Sequence, residues 1–555
     1  MPLLQTRTHR RRLVPAILIA LSFAWCFPAL DQYNVTWDEA LGDFFFGERY
    51  LSFFTSFDPV YLDFASDPYP EDRRPDLRLS PFRTRPWEHY PVASTLSAAS
   101  STVLSRWLGW LDPFDGYHAA NLFLAALLIW VFFRFLEERL GLLAAVAALG
   151  FLFSSPRVVS HLMANVKDFP LMVFYTLTVM VFFRAYEAGS TRGLLAAGAL
   201  WGLSLATKAN AWFLPGIPLA VTALGGLPET WRGRRTRLIL ALAGAGVLGG
   251  LVMVAVWPYL WGDPIGRLAE NLKFVVSRKG TTRPDSFAPV IQAITLTTPP
   301  LFLLCFVAGL VPCLAMAWRR QRPALLLLAW IATVLCRYLV PQAVNYDGVR
   351  HFLELFPAMA AVAALGVAWL GQRLVEVWPG QGSKALSRRL RAGVLLAALA
   401  PSVWAVLATH PFQLAYWNVF AGGYAGARAR GLPQAGDYWG TSYRLGLSWL
   451  NEHAPQDALV AVPVIEHAVR LVAPERLRPD LVLLPVTTPY SPRIAPDRLR
   501  LTRQAARKRP LYVMFVERRD WMNELMRDCL DHLEPEVEWQ LEGEPVLAIY
   551  RYALP

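Results

Sequence analysis

Five short stretches of this sequence set ionisable side chains beside apolar runs, and their residue types could do chemistry. They are TWDEA (36–40), PWEHYP (86–91), HLMANVKDFP (161–170), ATKAN (206–210) and YDGVRHFLELFP (346–357). Asp38 and Glu39 are carboxylates able to take a proton from an attacking group. Glu88 and His89 put an acid next to an imidazole, a pair suited to a phosphate headgroup, a metal or a polar substrate. Lys167 and Asp168 begin an apolar run, and ionisable residues at membrane depth are costly and often functional. Lys208 is a point charge able to neutralise a phosphate. Arg350 presents a planar fork that matches phosphate, with His351 beside it.

Each stretch also has a purely structural explanation. Thr36 and Glu39 have the spacing of a helix capping box, and acids in a first helical turn are favoured by the dipole. Trp37, Leu41, Phe44 and Phe45 would then form an apolar stripe suited to a membrane surface. Glu39 and Asp43 are like charges four residues apart, which costs helix stability. Lys208 can snorkel to an interface. Arg350 can pair with Asp347, and Asp168 can sit at a helix N-terminus.

The elements that must position these residues are membrane helices. The chain has 555 residues, of which 55% are hydrophobic and 17% charged, including 21 Trp. Soluble domains carry roughly 25% charged residues, and here the apolar residues come in blocks of spanning length. A polytopic α-helical membrane protein with about eleven transmembrane helices is expected, at 13–30, 117–136, 141–155, 169–186, 193–207, 210–226, 237–257, 290–317, 323–340, 351–371 and 392–408. The segment 92–110 reads as an interfacial or re-entrant helix. The net charge of +12 fits basic loops rather than nucleic acid, which is not expected as a partner. RFLEERLG, RAYEAGSTRG, PETWRGRRTR, AWRRQRP and GQRLVEVWPGQGSKALSRRLR alternate with the other loops, as the positive-inside rule requires if the N-terminus is cytoplasmic. That parity gathers a long first outer loop (31–116) and all five stretches on the outer face.

The chain therefore reads as a transmembrane catalytic part, 1–408, and a small extracytoplasmic α/β domain, 409–555. In the tail, SYRLGLSWLNEHAP reads as an amphipathic helix, and ALVAVPV, DLVLLPV, RPLYVMFV and PVLAIYRY read as strands. The five Cys show no disulfide framework or zinc spacing, nor do His410, His453, His467 and His532 show ligand spacing. Phosphate-loop, dinucleotide and serine-elbow motifs do not stand out.

Taken together, WDEA, EHYP, NVKDFP, GVRHFLELFP and the tail stretch HPFQLAYWNVFAGG…GDYWG resemble the C-type (GT-C) membrane glycosyltransferases. The likeness is to glycosyltransferase family 39 and its bacterial relatives, among them protein O-mannosyltransferases and lipid A aminoarabinose transferases. It departs at EHYP, where His89 stands for the lysine of the aminoarabinose transferases and one proline for their pair. The resemblance implies a sugar donor linked to polyprenyl phosphate and inverting transfer to an acceptor hydroxyl on a glycan, lipid or protein, at the outer face of a bacterial inner membrane. It implies Asp38 as base, with Arg350, His89, Lys208 and Lys167 near the phosphate. Asp168 and Glu88, with Glu39 and His351, would position the sugar or acceptor. No cofactor is required by this reading; some relatives take a divalent cation, and no cage for one is evident. A polytopic secondary transporter or flippase is the alternative. It would show inverted repeats and charges at mid-span, whereas these charges cluster at span ends.

Overall fold

The computed structural model describes residues 2–66, 68–69, 85–277, 287–340, 343–377, 384–488 and 493–553. The RPDS part of the loop before 290 and the segment WPGQGS (378–383) lie outside the described residues. So do the side chains of the basic N-terminus through Arg11.

The membrane part runs α1 Pro2–Ala29, α2 Phe44–Ser56, α3 Pro91–Ser101, α4 Pro113–Leu140, α5 Leu142–Phe153, α6 Pro156–Ala164, α7 Asp168–Ala188 and α8 Thr191–Leu205. It continues with α9 Gly216–Gly225, α10 Arg235–Val256, α11 Pro264–Ser277, α12 Phe287–Thr297, α13 Pro300–Trp318, α14 Arg322–Cys336, α15 Phe356–Val377 and α16 Lys384–Ala408. Among the described residues eight helices are long and apolar enough to cross a membrane. Counting α5 and α6, bent by 67° at the Ser154–Ser155 break, as one span gives nine.

Two of the eleven expected runs fall short of that length. The runs at 193–207 and 210–226 fold as α8, with 15 residues, and α9, with 10. At 1.5 Å per residue α8 is about 22 Å long, short of a bilayer core of about 30 Å. The two are consecutive, so the parity of every later loop, and with it the alternation of basic loops, is the same whether or not they are counted. The run 290–317 is likewise two helices, α12 and α13, parted at Thr298–Pro299. The interfacial segment folds as α3 followed by a wide turn, Thr102–Trp107, packed on α2 and α4.

The tail supplies α17 Gly423–Ala429, α18 Tyr443–His453, α19 Glu466–Arg476, α20 Pro496–Ala506 and α21 Glu524–His532 around a five-stranded sheet. The strands are β1 Leu459–Ala461, β2 Val482–Leu484, β3 Leu511–Val516, β4 Pro535–Leu541 and β5 Glu544–Arg551, in the order β2-β1-β3-β5-β4. β1 runs parallel to β2 and β3, with Val460 opposite Leu483 and Tyr512. β5 is antiparallel to β3 and β4. The four apolar runs read as strands are all present. β4, PEVEWQL, is the fifth: it is an edge strand whose polar alternation hid it.

Besides a small cluster of its own around Phe412, Tyr424 and Val546, the tail shares its main core with the first loop. One cluster of buried residues joins Trp37, Phe44 and Tyr90 of the first loop to Tyr443, Val460 and Phe515 of the tail. Backbone bonds from Asn34 to Thr441 and from Trp37 to Trp439 stitch the two together. Arg476 of α19 reaches Asp112 at 2.7 Å and Asp115 at 2.5 Å, where α4 begins. The stripe Trp37, Leu41, Phe44 and Phe45 is buried in this joint core, not laid on a membrane. Trp37 stands edge-on to His467 and Trp521 of the tail.

Candidate active site

The helix carrying TWDEA starts at Trp37, so Thr36 is its cap residue. Only half of the capping box forms. Glu39 accepts from the Thr36 N–H at 2.8 Å, while Thr36 Oγ1 has no hydrogen-bond partner. Glu39 is 2% exposed and also takes His118 Nε2 at 3.0 Å and the Val166 N–H at 3.3 Å. Its role here is to tie the NVKD turn to the first loop.

Residues Glu39–Asp43 form one wide π-turn, a feature often found at functional sites. The like charges Glu39 and Asp43 are reconciled because each carboxylate has its own hydrogen-bond donors. Asp43 receives Lys167 Nζ at 2.9 Å and His89 Nδ1 at 3.1 Å. His89, buried at 5% exposure, stacks on Phe46 at 4.5 Å. The ring fits because position 42 is glycine: a Cβ there would lie 2.1 Å from His89 Cε1. Glu88 points elsewhere, pairing with Arg85 at 3.3 Å.

The NVKD stretch is shaped by Asn165. Its Oδ1 accepts from the N–H groups of Lys167 and Asp168 at 3.1 and 2.8 Å, closing the start of α7. This leaves Asp168 in the first helical turn, 1% exposed, with Asn165 Nδ2 at 3.0 Å from its carboxylate. Lys208 extends to Asp168 and lies 3.3 Å from His351 Nδ1. Asn210, from the same TKAN turn, donates to the His351 carbonyl at 2.8 Å and to Glu354 at 3.2 Å.

Arg350 joins the two halves. Its Nη1 is 2.7 Å from Asp38 and 3.7 Å from Asp168, and its Nη2 is 2.8 Å from Asp347. Trp439 of the tail covers the guanidinium at 4.8 Å, and Arg518 of the tail reaches Asp347 at 3.5 Å. Asp38, Asp168, Lys208, Arg350 and His351 thus meet in one network, and Lys167, paired with Asp43, lies within the field of Asp38 and Asp168. Glu39 and His89 support it from behind Asp43, and Glu88 pairs outside it.

Exposure separates the carboxylates. The Asp38 side chain is 26% exposed, against 3% for Asp43, 1% for Asp168 and 8% for Asp347. Among the cations, Lys167 and Lys208 keep some exposure while Arg350 is buried. Burial pulls the Lys208 ammonium below the usual lysine range, against the pull of Asp168. Burial acts the same way on Lys167, but Asp43 and Asp38 outweigh it and raise that lysine. No group of three or more His, Cys, Asp or Glu able to hold a metal ion occurs among the described residues.

Sequence reasoning assigned no role to Asp43, Asn165, Trp439 or Arg518. Asn165 had a readable signal, because Asn three residues before Asp at a helix start is a capping pattern. Trp439 and Arg518 had none, since only the docking of the tail brings them here.

In comparison with solved structures, the chain is similar over 96% of its length to ArnT from Cupriavidus metallidurans bound to undecaprenyl phosphate, at 14% identity, covering 97% of that chain with a TM-score of 0.48. It is similar over 77% of its length to the oligosaccharyltransferase AglB from Archaeoglobus fulgidus in complex with an inhibitory peptide and a dolichol phosphate, at 14% identity, covering 61% of that chain with a TM-score of 0.39. Comparison with the curated proteins gives no match. Residues 117–259, which carry Lys167, Asp168 and Lys208, match the family model described as dolichyl-phosphate-mannose-protein mannosyltransferase, and over that segment the family resemblance read from the motifs is borne out.

Proposed function

We propose that this protein is a membrane glycosyltransferase that moves a sugar from a polyprenyl-phosphate donor to an acceptor hydroxyl, with inversion and with Asp38 as the base. The observation that carries the reading is the single network of Asp38, Asp168, Lys208 and Arg350, with Lys167 on Asp43 beside it. The family match over 117–259 supports the reaction class.

In this reading the acceptor hydroxyl approaches Asp38, the one network carboxylate with substantial exposure. The carboxylate takes the hydroxyl proton as oxygen attacks the anomeric carbon. The bond from that carbon to the phosphate oxygen breaks, and the phosphate leaves with the electron pair. Lys208 and Lys167 face that developing charge, the role expected of preorganised cations. Arg350 holds Asp38 in place through a 2.7 Å contact. An apolar groove between α9 and α14, lined by Phe213, Leu224, Leu328 and Thr333, ends at Arg337 and suits a hydrocarbon chain. The network would lie on the outer face of the membrane, with the 409–555 domain above it.

The test is incubation of the purified protein with a panel of polyprenyl-phosphate sugars. Release of free polyprenyl phosphate, dependent on an added acceptor hydroxyl, is the expected result. No release from any donor, with the protein folded, would overturn the reading.

A further inference from the structure

The tail stretch GDYWG (436–440) is built around one buried carboxylate. Asp437, 2% exposed, accepts from the N–H groups of Trp439, Gly440 and Ser442 at 3.1, 2.9 and 2.6 Å. It also accepts from the hydroxyls of Thr441 and Ser442 at 3.1 and 2.7 Å. Hydrogen bonds to an ionised acceptor are the strong ones, so this turn is held firmly. Gly440 closes it at φ +77°, where a Cβ would lie 2.9 Å from the Tyr443 ring. Arg518 donates to the Tyr438 carbonyl at 2.7 Å and adds a second hold.

The turn carries Trp439, 2% exposed, whose contacts reach both sides of the Asp38–Arg350 pair. Its carbonyl accepts from the N–H of Trp37, the residue before Asp38, at 3.2 Å. Its ring lies 4.8 Å from the Arg350 guanidinium, an attraction that strengthens when water is excluded. Its indole N–H donates to Asp347 Oδ2 at 3.4 Å, the oxygen that also receives Arg350 Nη2 at 2.8 Å. His161 meets the indole edge-on at 5.4 Å and fixes its plane.

Arg350 needs such a guide. Its Nη1 has two carboxylates within reach, Asp38 at 2.7 Å and Asp168 at 3.7 Å. Among the described residues its Nε makes no hydrogen bond. The two Nη contacts and the packing of Trp439 and Tyr346 therefore set the direction of the fork. A small tilt would favour Asp168 over Asp38.

We propose that Trp439 is a positioning residue for the transfer: anchored by Asp437, it keeps the Arg350 fork on Asp38 and shields the pair from water, so that the tail completes the site. This rests on Asp38 being the base. Trp439 acts through Arg350 and meets no reacting atom. A cation held this close favours the charged form of Asp38, the form able to take a proton. Lys167 and His467 also act on Asp38, and the variants below leave both in place.

The experiment uses the full chain in detergent and two readouts. One is steady-state release of polyprenyl phosphate. The other is the titration of the Asp38 carboxyl, read from its infrared band as the difference between each protein and the same protein carrying Asp38→Asn. The band separates Asp38 from His467, which also titrates in acid. Trp439→Leu keeps an apolar side chain and removes the ring and its N–H. It should lower kcat about tenfold and leave donor KM within about twofold. It should also move the Asp38 titration up by roughly one pH unit. Trp439→Phe restores a ring and should recover part of both effects. Wild-type kcat and titration in Trp439→Leu would overturn the proposal. So would a lowered kcat with an unmoved Asp38 titration, since Trp439 would then be a packing residue only. A shifted titration in a protein that releases polyprenyl phosphate from no donor would uphold the positioning of Asp38 and overturn the transfer reading instead.

Discussion

Asp38→Asn separates the chemistry from the architecture. Asp38 contacts Arg350 at 2.7 Å, but Arg350 keeps Asp347 at 2.8 Å and Asp168 at 3.7 Å when that charge is removed. No buried cation is orphaned. The asparagine oxygen can still accept from the guanidinium, and the Asp38 side chain is 26% exposed. The stability loss should therefore resemble that of a partly exposed ion pair, about 1 kcal/mol. For a chain this long that moves the unfolding midpoint by less than about 4 °C. Turnover should fall far more. Loss of a positioned general base costs roughly 10²–10⁴-fold, or about 3–5 kcal/mol of barrier. The assay is release of polyprenyl phosphate at saturating donor, beside thermal unfolding of the same preparation. Turnover within threefold of the wild type would refute Asp38 as base. Activity lost together with a midpoint drop well beyond the expected range would make Asp38 a structural residue.

Asp168→Asn should behave in the opposite way. It leaves the mostly enclosed Lys208 without its carboxylate, which costs up to about 3 kcal/mol, and folded yield measured by size exclusion should drop. Lys208→Met should raise KM for the donor with a smaller effect on folding. Since burial lowers this lysine, donor affinity in the wild type should begin to fall with rising pH below the ordinary lysine range, and affinity titrated from pH 7 to 10 checks this. Gly42→Ala drives a methyl into His89, so overpacking of about 1–3 kcal/mol is expected, read as a lowered unfolding midpoint. His467 is held down to about 4 by burial against Trp37, from an ordinary value of 6.5. Its neutral form is the folded form, so its stability contribution is complete above pH 6.5 and is lost as pH falls toward 4. At about 1.4 kcal/mol per unit the loss is at most about 3 kcal/mol, and it should vanish from the pH dependence of unfolding in His467→Gln.

The membrane class, the basic-loop alternation and four of the five strands follow from composition and period alone. The length of an apolar block is a local property, and it survives whatever the chain packs against. The charged motifs were legible for the same reason: each breaks an apolar pattern at the end of a run. What each residue does was not legible. Glu39 and His89 carry the same titratable groups as their neighbours, yet the fold turns them into buried supports, because a glycine at 42 and a π-turn bring His89 onto Asp43. Helix length was not legible either: α8 and α9 have the composition of a span in 15 and 10 residues. The sequence by itself determined which residues are costly to bury. Tertiary structure alone decided that Arg350 meets Asp38 across 312 positions and that Trp439 and Arg518 close over the pair. The physical reason is that an ion pair is set by distance in space, and distances across the chain are fixed only when the tail shares its core with the first loop.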